Sequence, residues 1–563
     1  PATFKEAAKL LDETLQSSLR VSDKQGVLGA HRVRAQLFAE QGKPAEALAE
    51  YEITFRLADE YRANSVSTEA RRATHAHVQA AFRGYLDLVM SNVTARGAGN
   101  LRPASKGEEA ALRRLEAVRE ANFGATRIAA LDAETTARVD ELFAQMAVKS
   151  LRIAALAKRE LSKTETEELS VLQGAMSDLH AELDRVRTAA ATKTAVAERA
   201  LPIMARELRS LTPGVVQLSY ALGQKYAYVW SRSESNVLVS VLGVVPQDLE
   251  RGLIELGALD RQAAPDQVER SLEKMSAVLM PAGLLPANSS AVEIVAEGRI
   301  AGVPFPALRS PADPKRRLVE THAITMITSL FAGDEPPRLK HARPFRLVAL
   351  ASGTGNLRSA AVIDPAPKLQ AATKEIRTVA DLFVARDSTA KVKLLLGAEG
   401  SAATLRGLWG SGADVVHFAT HALADLRQPL ASLLVLPATD AGGAPTYLTA
   451  GQVEGWRGDI ELVFLSACES AIGPPRFAGG MPGLQGAFLR AGARGVIATL
   501  WPIEDVLAQE FSEDFYQRFT GGVSAAQALG ETQRAWIAPK AGASDAEQMR
   551  RRITALAHGF YTQ

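Results

Sequence analysis

The hydrophobic pattern changes period near residue 200. Upstream, apolar positions recur every three or four residues. Leu169, Leu172, Met176, Leu179, Leu183 and Val186 step by 3, 4, 3, 4 and 3. That spacing predicts one helix with a narrow apolar seam. Fewer than three full heptads are present, so the seam predicts contact with another helix of the same chain rather than a dimer zipper. Proline marks the same division. Residues 1–200 hold only Pro1, Pro44 and Pro103 of the 26 prolines in the 563-residue chain. Proline lacks an N–H and clashes with the preceding helical turn. The region is also rich in Ala, Leu, Glu and Arg, which favour helix. Residues 1–200 therefore read as all helix.

Within it, "AQLFAEQGKPAEALAEY" (35–51) resembles a tetratricopeptide repeat. Ala35 and Phe38 fall on a first helix, Gly42 makes the turn, and Ala47 and Tyr51 fall on a second, at the repeat's offsets. A plain helical hairpin gives the same pattern. A second repeat is expected over 75–120, interrupted by a loop at 94–108.

From about residue 213 the period becomes two. "GVVQLSYALGQKYAYVWSR" and "SNVLVSVLGV" read as strands joined by a hairpin. A helix carrying Leu249, Ile254 and Leu256 follows, then a strand and turn at "AVEIVAEGRIAGVPFPAL". From 344, strands "FRLVALAS", "VKLLL", "DVVHFAT", "ELVFLSA" and "RGVIATL" alternate with helices at 367–385, 402–409, 483–491 and 504–519. Such alternation predicts an α/β unit, a mostly parallel sheet with helices on both faces. The expected division is 1–200 helical, 205–340 the front half of an α/β domain, and 341–563 its second half.

Composition narrows the function classes. Hydrophobic content of 47% and charged content of 23% are those of a globular protein. A net charge of +2 gives no bias toward nucleic acid or anionic membrane. No apolar run reaches the ~18 residues of a membrane span. A single cysteine excludes an intramolecular disulfide framework. With no charged-then-apolar leader after Pro1, the expected compartment is the reducing cytoplasm.

That cysteine carries the candidate chemistry. In open α/β sheets, ligands bind beyond the carboxyl ends of the strands. "ADVVHFATHA" ends near His421, and "ELVFLSACES" ends at Cys468, 47 residues later. One Cys with a His about 50 residues upstream, each closing a buried strand, is the layout of caspase-like cysteine peptidases. An imidazole can take the thiol proton or favour the thiolate, and backbone N–H groups around Cys468 suit an oxyanion. Two blander readings stay open: a lone Cys as a small buried hydrophobe, and a lone His as a satisfied polar residue. Metal binding by His417 and His421 fails, because four residues along a strand span about 13 Å. "GTGNLR" lacks the third glycine of a dinucleotide loop. No cofactor and no metal are expected.

The segments "VVHFATHA", "PLASLLVLP", "YLTAGQV", "ELVFLSACESAIG", "GLQGAFLRAGARGVIATLWPIED" and "ALGETQRA" are similar to the CHAT family of caspase-like peptidases, relatives of caspases and separases. Upstream, "GRIAGVPFPALRS" and "RRLVETHAITMITS" resemble the family's front half, so the resemblance covers about 205–563. It implies a caspase-like fold, His421 as general base and Cys468 as nucleophile, with the N–H groups of Ala422 and Cys468 forming the oxyanion hole. Many members have Gly where Ala422 stands. From related separases it further implies that Asp505, with Glu504, selects a basic residue before the scissile bond. A helix start explains the same two acids. The implied function is a cysteine endopeptidase acting on a protein substrate. A protein or ribonucleoprotein bound to the N-terminal helices would activate it. The settings implied are bacterial defence and regulated cell death, beside RNA-guided (CRISPR-associated) complexes or gasdermin-like targets. The alternative is a repeat scaffold with a caspase-like fold that does not cut. The loop 471–483 is expected to order on activation.

Overall fold

A computed structural model describes residues 2–63, 68–95, 97–125, 131–156, 160–193, 208–249, 251–252, 265–331, 344–352, 369–425, 428–438, 446–467, 481 and 483–562. The first part consists mainly of helices α1 (Ala2–Arg20), α2 (Lys24–Glu40), α3 (Pro44–Ala63), α4 (Thr68–Val89), α5 (Ser91–Thr94), α6 (Lys106–Ala125), α7 (Ala133–Leu156) and α8 (Lys163–Lys193). Helices α2 and α3 form the hairpin read from the repeat-like segment. Gly42 takes φ 70° at its turn, where a Cβ would be strained. Ala35, Ala47 and Tyr51 are buried, the small residues letting the helices approach closely. The heptad seam also forms. Met176 and Leu183 of α8 bury against Phe143 and Met146 of α7, an intramolecular contact.

The all-helical expectation for 1–200 fails at one place. Strand β1 (Arg102–Pro103) joins the edge of the main sheet, pairing with Val239 and Leu238. An edge position is one of the few in a sheet that accept a residue without an N–H.

The main sheet has twelve strands among the described residues, in the order β1-β4-β3-β2-β5-β6-β15-β14-β13-β9-β7-β8. The front half holds β2 (Val215–Leu222), β3 (Ala227–Arg232), β4 (Val237–Val241), β5 (Ala291–Val295) and β6 (Ala323–Ile327). The second half holds β7 (Arg346–Ala351), β8 (Lys391–Leu395), β9 (Val415–Ala419), β13 (Ile460–Ser466) and β14 (Ala493–Thr499). Within the second half every pairing is parallel. The last strand, β15 (His558–Thr562), joins the halves: it runs parallel to β6 and antiparallel to β14. A smaller antiparallel sheet is made of β10 (Ala422–Leu423), β11 (Leu433–Leu436) and β12 (Thr446–Thr449).

The remaining helices are α9 (Pro265–Leu279), α10 (Leu318–Thr321), α11 (Ala372–Arg386), α12 (Ala402–Gly410), α13 (Ala450–Val453), α14 (Leu484–Arg490), α15 (Asp505–Thr520), α16 (Ala525–Ile537) and α17 (Asp545–Ala557). Helices lie on both faces of the second half. Phe464 of β13 meets Tyr516 of α15 on one face, and Phe418 of β9 meets Phe488 of α14 on the other. The helix expected over 367–385 starts at Ala372, and Ile254 and Leu256 lie outside the described residues.

The sequence boundary at 200 falls among residues 194–207, outside the described set. Packing nevertheless runs across it. One hydrophobic cluster extends from Leu28 to Tyr561. A buried polar network adds to it. Arg119 of α6 pairs with Glu116 at 2.5 Å, donates to Ser219 Oγ at 2.7 Å and lies 3.7 Å from Glu297. Glu116 accepts the N–H of Leu330 at 2.8 Å. The first helices and the front half of the sheet thus share one interior.

Candidate active site

The site begins with two central strands. Strands β9 and β13 are buried along their whole length, as their mostly apolar sequences require of parallel strands covered on both faces. Each β9 residue faces the β13 residue 47 positions later, from Val415 opposite Leu462 to Ala419 opposite Ser466. The Thr420 N–H donates to the Ser466 carbonyl at 3.3 Å and closes this ladder.

The chain then leaves the main sheet at His421. Its carbonyl accepts the N–H of Val435 from β11 at 2.9 Å. Ala422 lies opposite Leu434. With the flanking bond made by His421, this is a non-hydrogen-bonded pair, so the Ala422 N–H is directed away from β11. His421 and Ala422 are both half-buried. At the end of β13, the carbonyl of Ala467 accepts the Thr499 hydroxyl at 2.7 Å. Cys468 and residues 469–480 lie outside the described residues. The loop expected at 471–483 is therefore described only at Met481 and Gly483.

Asp505, read from sequence as a pocket acid or a helix start, is the first residue of α15. Its Oδ2 accepts the N–H of Ala371, the residue capping α11, at 2.7 Å. The carboxylate thus ties the starts of two helices together beside the strand ends. Burial raises its pKa, and Glu375 raises it further. Hydrogen bonds from Ala371 and Gln370 and the nearby His421 act in the opposite sense. Asp505 and His421 are therefore electrostatic neighbours. Glu504 is exposed, with Oε2 3.7 Å from Arg550.

Beneath this edge lies a group that sequence reasoning did not find. His417 is fully buried and stacks on Phe464 at 5.2 Å between ring centroids. Its Nδ1 is 3.2 Å from the Tyr516 hydroxyl. Its Nε2 is 3.2 Å from Oε1 of buried Glu375, close enough for an ion pair but not aligned as a hydrogen bond. Burial, reinforced by Glu375, pushes the Tyr516 phenol well above its usual range. A Glu at 375 and a Tyr at 516 look like ordinary helix residues in sequence. Only the packing of α11 and α15 brings them to His417. No group of three metal-ligating side chains occurs among the described residues.

A profile of the CHAT domain matches residues 266–553, just over half of the chain. The chain belongs to the CHAT domain family. Among curated proteins it is similar to tetratricopeptide repeat protein 28 of Mus musculus, 27% identical over 215 residues, 31% of this chain and 9% of that protein. The Homo sapiens protein of the same name is 26% identical over 215 residues, 31% of this chain and 8% of that protein. The chain thus spans under a tenth of those relatives' length. Among solved structures, the Saccharomyces cerevisiae separase–securin complex aligns with TM-score 0.38 and 9% identity, over 100% of this chain and 46% of that one. The Arg-specific cysteine proteinase gingipain R aligns with TM-score 0.32 and 9% identity, over 56% of this chain and 74% of that one.

Proposed function

We propose that the chain is a cysteine endopeptidase that cuts a protein substrate with Cys468 as nucleophile and His421 as general base. The observation that carries this is the register of β9 against β13. Its offset of 47 residues equals the separation of His421 and Cys468. His421 and Cys468 directly follow Thr420 and Ala467, the residues that close these two adjacent strands at the carboxyl end of the sheet, where ligands bind in open α/β folds. Membership of the CHAT domain family supports the same roles.

In the proposed reaction, His421 takes the thiol proton as sulfur attacks the scissile carbonyl. It returns that proton to the leaving amine, and water then releases the acyl group from Cys468. The Ala422 N–H, not used by β11, and the Cys468 N–H stabilise the oxyanion. Asp505, with Glu504, favours Arg or Lys before the scissile bond through charge-assisted hydrogen bonds. The half-buried carboxylate next to His421 supports this assignment for Asp505.

Repeat-like helices suit an activating protein or ribonucleoprotein partner. Bacterial defence or regulated cell death in the cytoplasm is the setting the family resemblance favours. The test is cleavage of candidate substrates by the chain and its Cys468→Ala and His421→Ala variants. A Cys468→Ala protein that still cuts ends the reading.

A further inference from the structure

We propose that Phe143, on helix α7 of the N-terminal region, is a positioning residue for the site. This rests on the peptidase reading above and names a residue of the helical region that acts on it. Phe143 is buried in a small cluster of its own with Val139, Leu142 and Met146 of α7 and Met176 and Leu183 of α8. Its ring fills a notch at Gly451 of α13. A Cβ at Gly451 would fall 2.1 Å from two carbons of the ring, so no side chain fits there unless Phe143 moves.

One turn further along α7, Ala147 and Leu151 cluster with Leu433 and Val435 of β11. Asp140, one turn earlier, pairs with Arg406 at 2.9 Å. Helix α7 is thereby fixed to α12 and to two short elements, β11 and α13.

Each of these elements holds a different part of the site. Val435 of β11 gives its N–H to the His421 carbonyl at 2.9 Å. Its own carbonyl accepts the Thr420 hydroxyl. Helix α13 is capped by Glu454, which is buried and accepts Arg490 Nε at 2.8 Å. Arg490 in turn donates from Nη1 to the carbonyl of Met481 at 3.4 Å. That carbonyl is also in close quarters with Gly486, where a Cβ would lie 1.6 Å from it. Met481 is the next described residue after Ala467, on the segment that carries Cys468. One helix therefore braces the backbone of His421 and, through Glu454 and Arg490, the carbonyl of Met481.

Ordinary core packing predicts that loosening Phe143 lowers stability only. Positioning predicts that it also loosens His421 and slows the thiol while the protein stays folded.

The experiment uses the full chain. Gly451→Ala displaces the ring, and adding Phe143→Leu restores room for it. Two quantities are read well below the melting temperature. One is deuterium uptake at the Val435 amide. The other is the alkylation rate of Cys468 by a peptidyl-arginine acyloxymethyl ketone, normalised to iodoacetamide. In Gly451→Ala we expect uptake at least tenfold faster and alkylation at least tenfold slower, with an unchanged half-saturating probe concentration. The Gly451→Ala/Phe143→Leu protein should return both to within threefold of the parent. If Gly451→Ala does not fold, Asp140→Ala, which cuts the Arg406 tether, should shift both readouts the same way. Parent-like exchange and alkylation in a folded variant would overturn the proposal, as would a loss the double variant fails to rescue. If the parent chain itself ignores the probe, the peptidase reading fails, and Val435 exchange still decides whether α7 braces His421.

Discussion

Thr499 donates its hydroxyl hydrogen to the carbonyl of Ala467 at 2.7 Å, across the ends of β14 and β13. Both residues are buried, and Ala467 directly precedes Cys468. Thr499→Val keeps the shape and removes this bond to the carbonyl. The expected cost is about 1–3 kcal/mol of stability, with Cys468 alkylation slowed. Thr499→Ser should retain the parent rate. Thermal unfolding and alkylation kinetics on the three proteins check this; equal rates for Val and Thr would mean that the bond does not steer the nucleophile.

Asp505 has two roles to separate. It ties Ala371 at 2.7 Å, and the proposed specificity role has it pair with a basic substrate residue. Asp505→Ala should lower the melting temperature through the lost tie and should abolish preference for Arg or Lys in a peptide library. A melting-temperature drop with unchanged preference would leave Asp505 as a helix clamp only.

How far was this legible in the chain itself? The strands at 414–420 and 461–467 were, because Val415, Val416, Phe418 and the run 462–465 are apolar and β-prone, bounded by polar residues. The α8 seam was legible because its spacing is regular. Strand β15 was not: "HGFYT" is a short mixed segment, and its pairing with both β6 and β14 depends on residues far away in sequence. Strand β1 was hidden for the same reason, two residues within a helical region. Of the site, His421 and Asp505 were visible at strand and helix ends. Glu375 and Tyr516 were not, since a buried polar partner has no local signature.

The helical region is not predicted to come away cleanly. Arg119→Met would leave Glu116 and Glu297 buried without their guanidinium, at a cost of about 3–5 kcal/mol. Deleting residues 1–200 should accordingly give aggregation or loss of the folded front half, rather than a free catalytic unit. Calorimetry of Arg119→Met and the solubility of the truncated chain test this. A soluble, cooperatively folded 205–563 fragment would contradict it.

The joint between the sheet halves should be acid-sensitive. Burial lowers the His558 pKa to about 4, against a bond from the ring to the Thr554 carbonyl at 2.8 Å that acts the other way. The ring also stacks on Phe511, 4.0 Å between centroids. Between pH 6.5 and 4 the unfolded chain binds a proton there that the folded chain does not, so stability falls with falling pH. The contribution is on the order of 3 kcal/mol. His558→Phe should start from lower stability at pH 7 but lose less on acidification. Denaturant titrations at pH 7 and 4.5 measure the difference, and parallel losses in both proteins would assign the acid sensitivity elsewhere.

The proposed chemistry rests on one thiol and one imidazole. Because Cys468 is the only cysteine in the chain, intact-mass spectrometry after treatment with a peptidyl-arginine acyloxymethyl ketone reports on that thiol alone. One probe per parent chain is expected, none on Cys468→Ala, and a rate at least about 100-fold lower for His421→Ala, the usual range for loss of a general base. Labelling of His421→Ala at the parent rate, or a parent thiol no more selective than that of the unfolded chain, would contradict it.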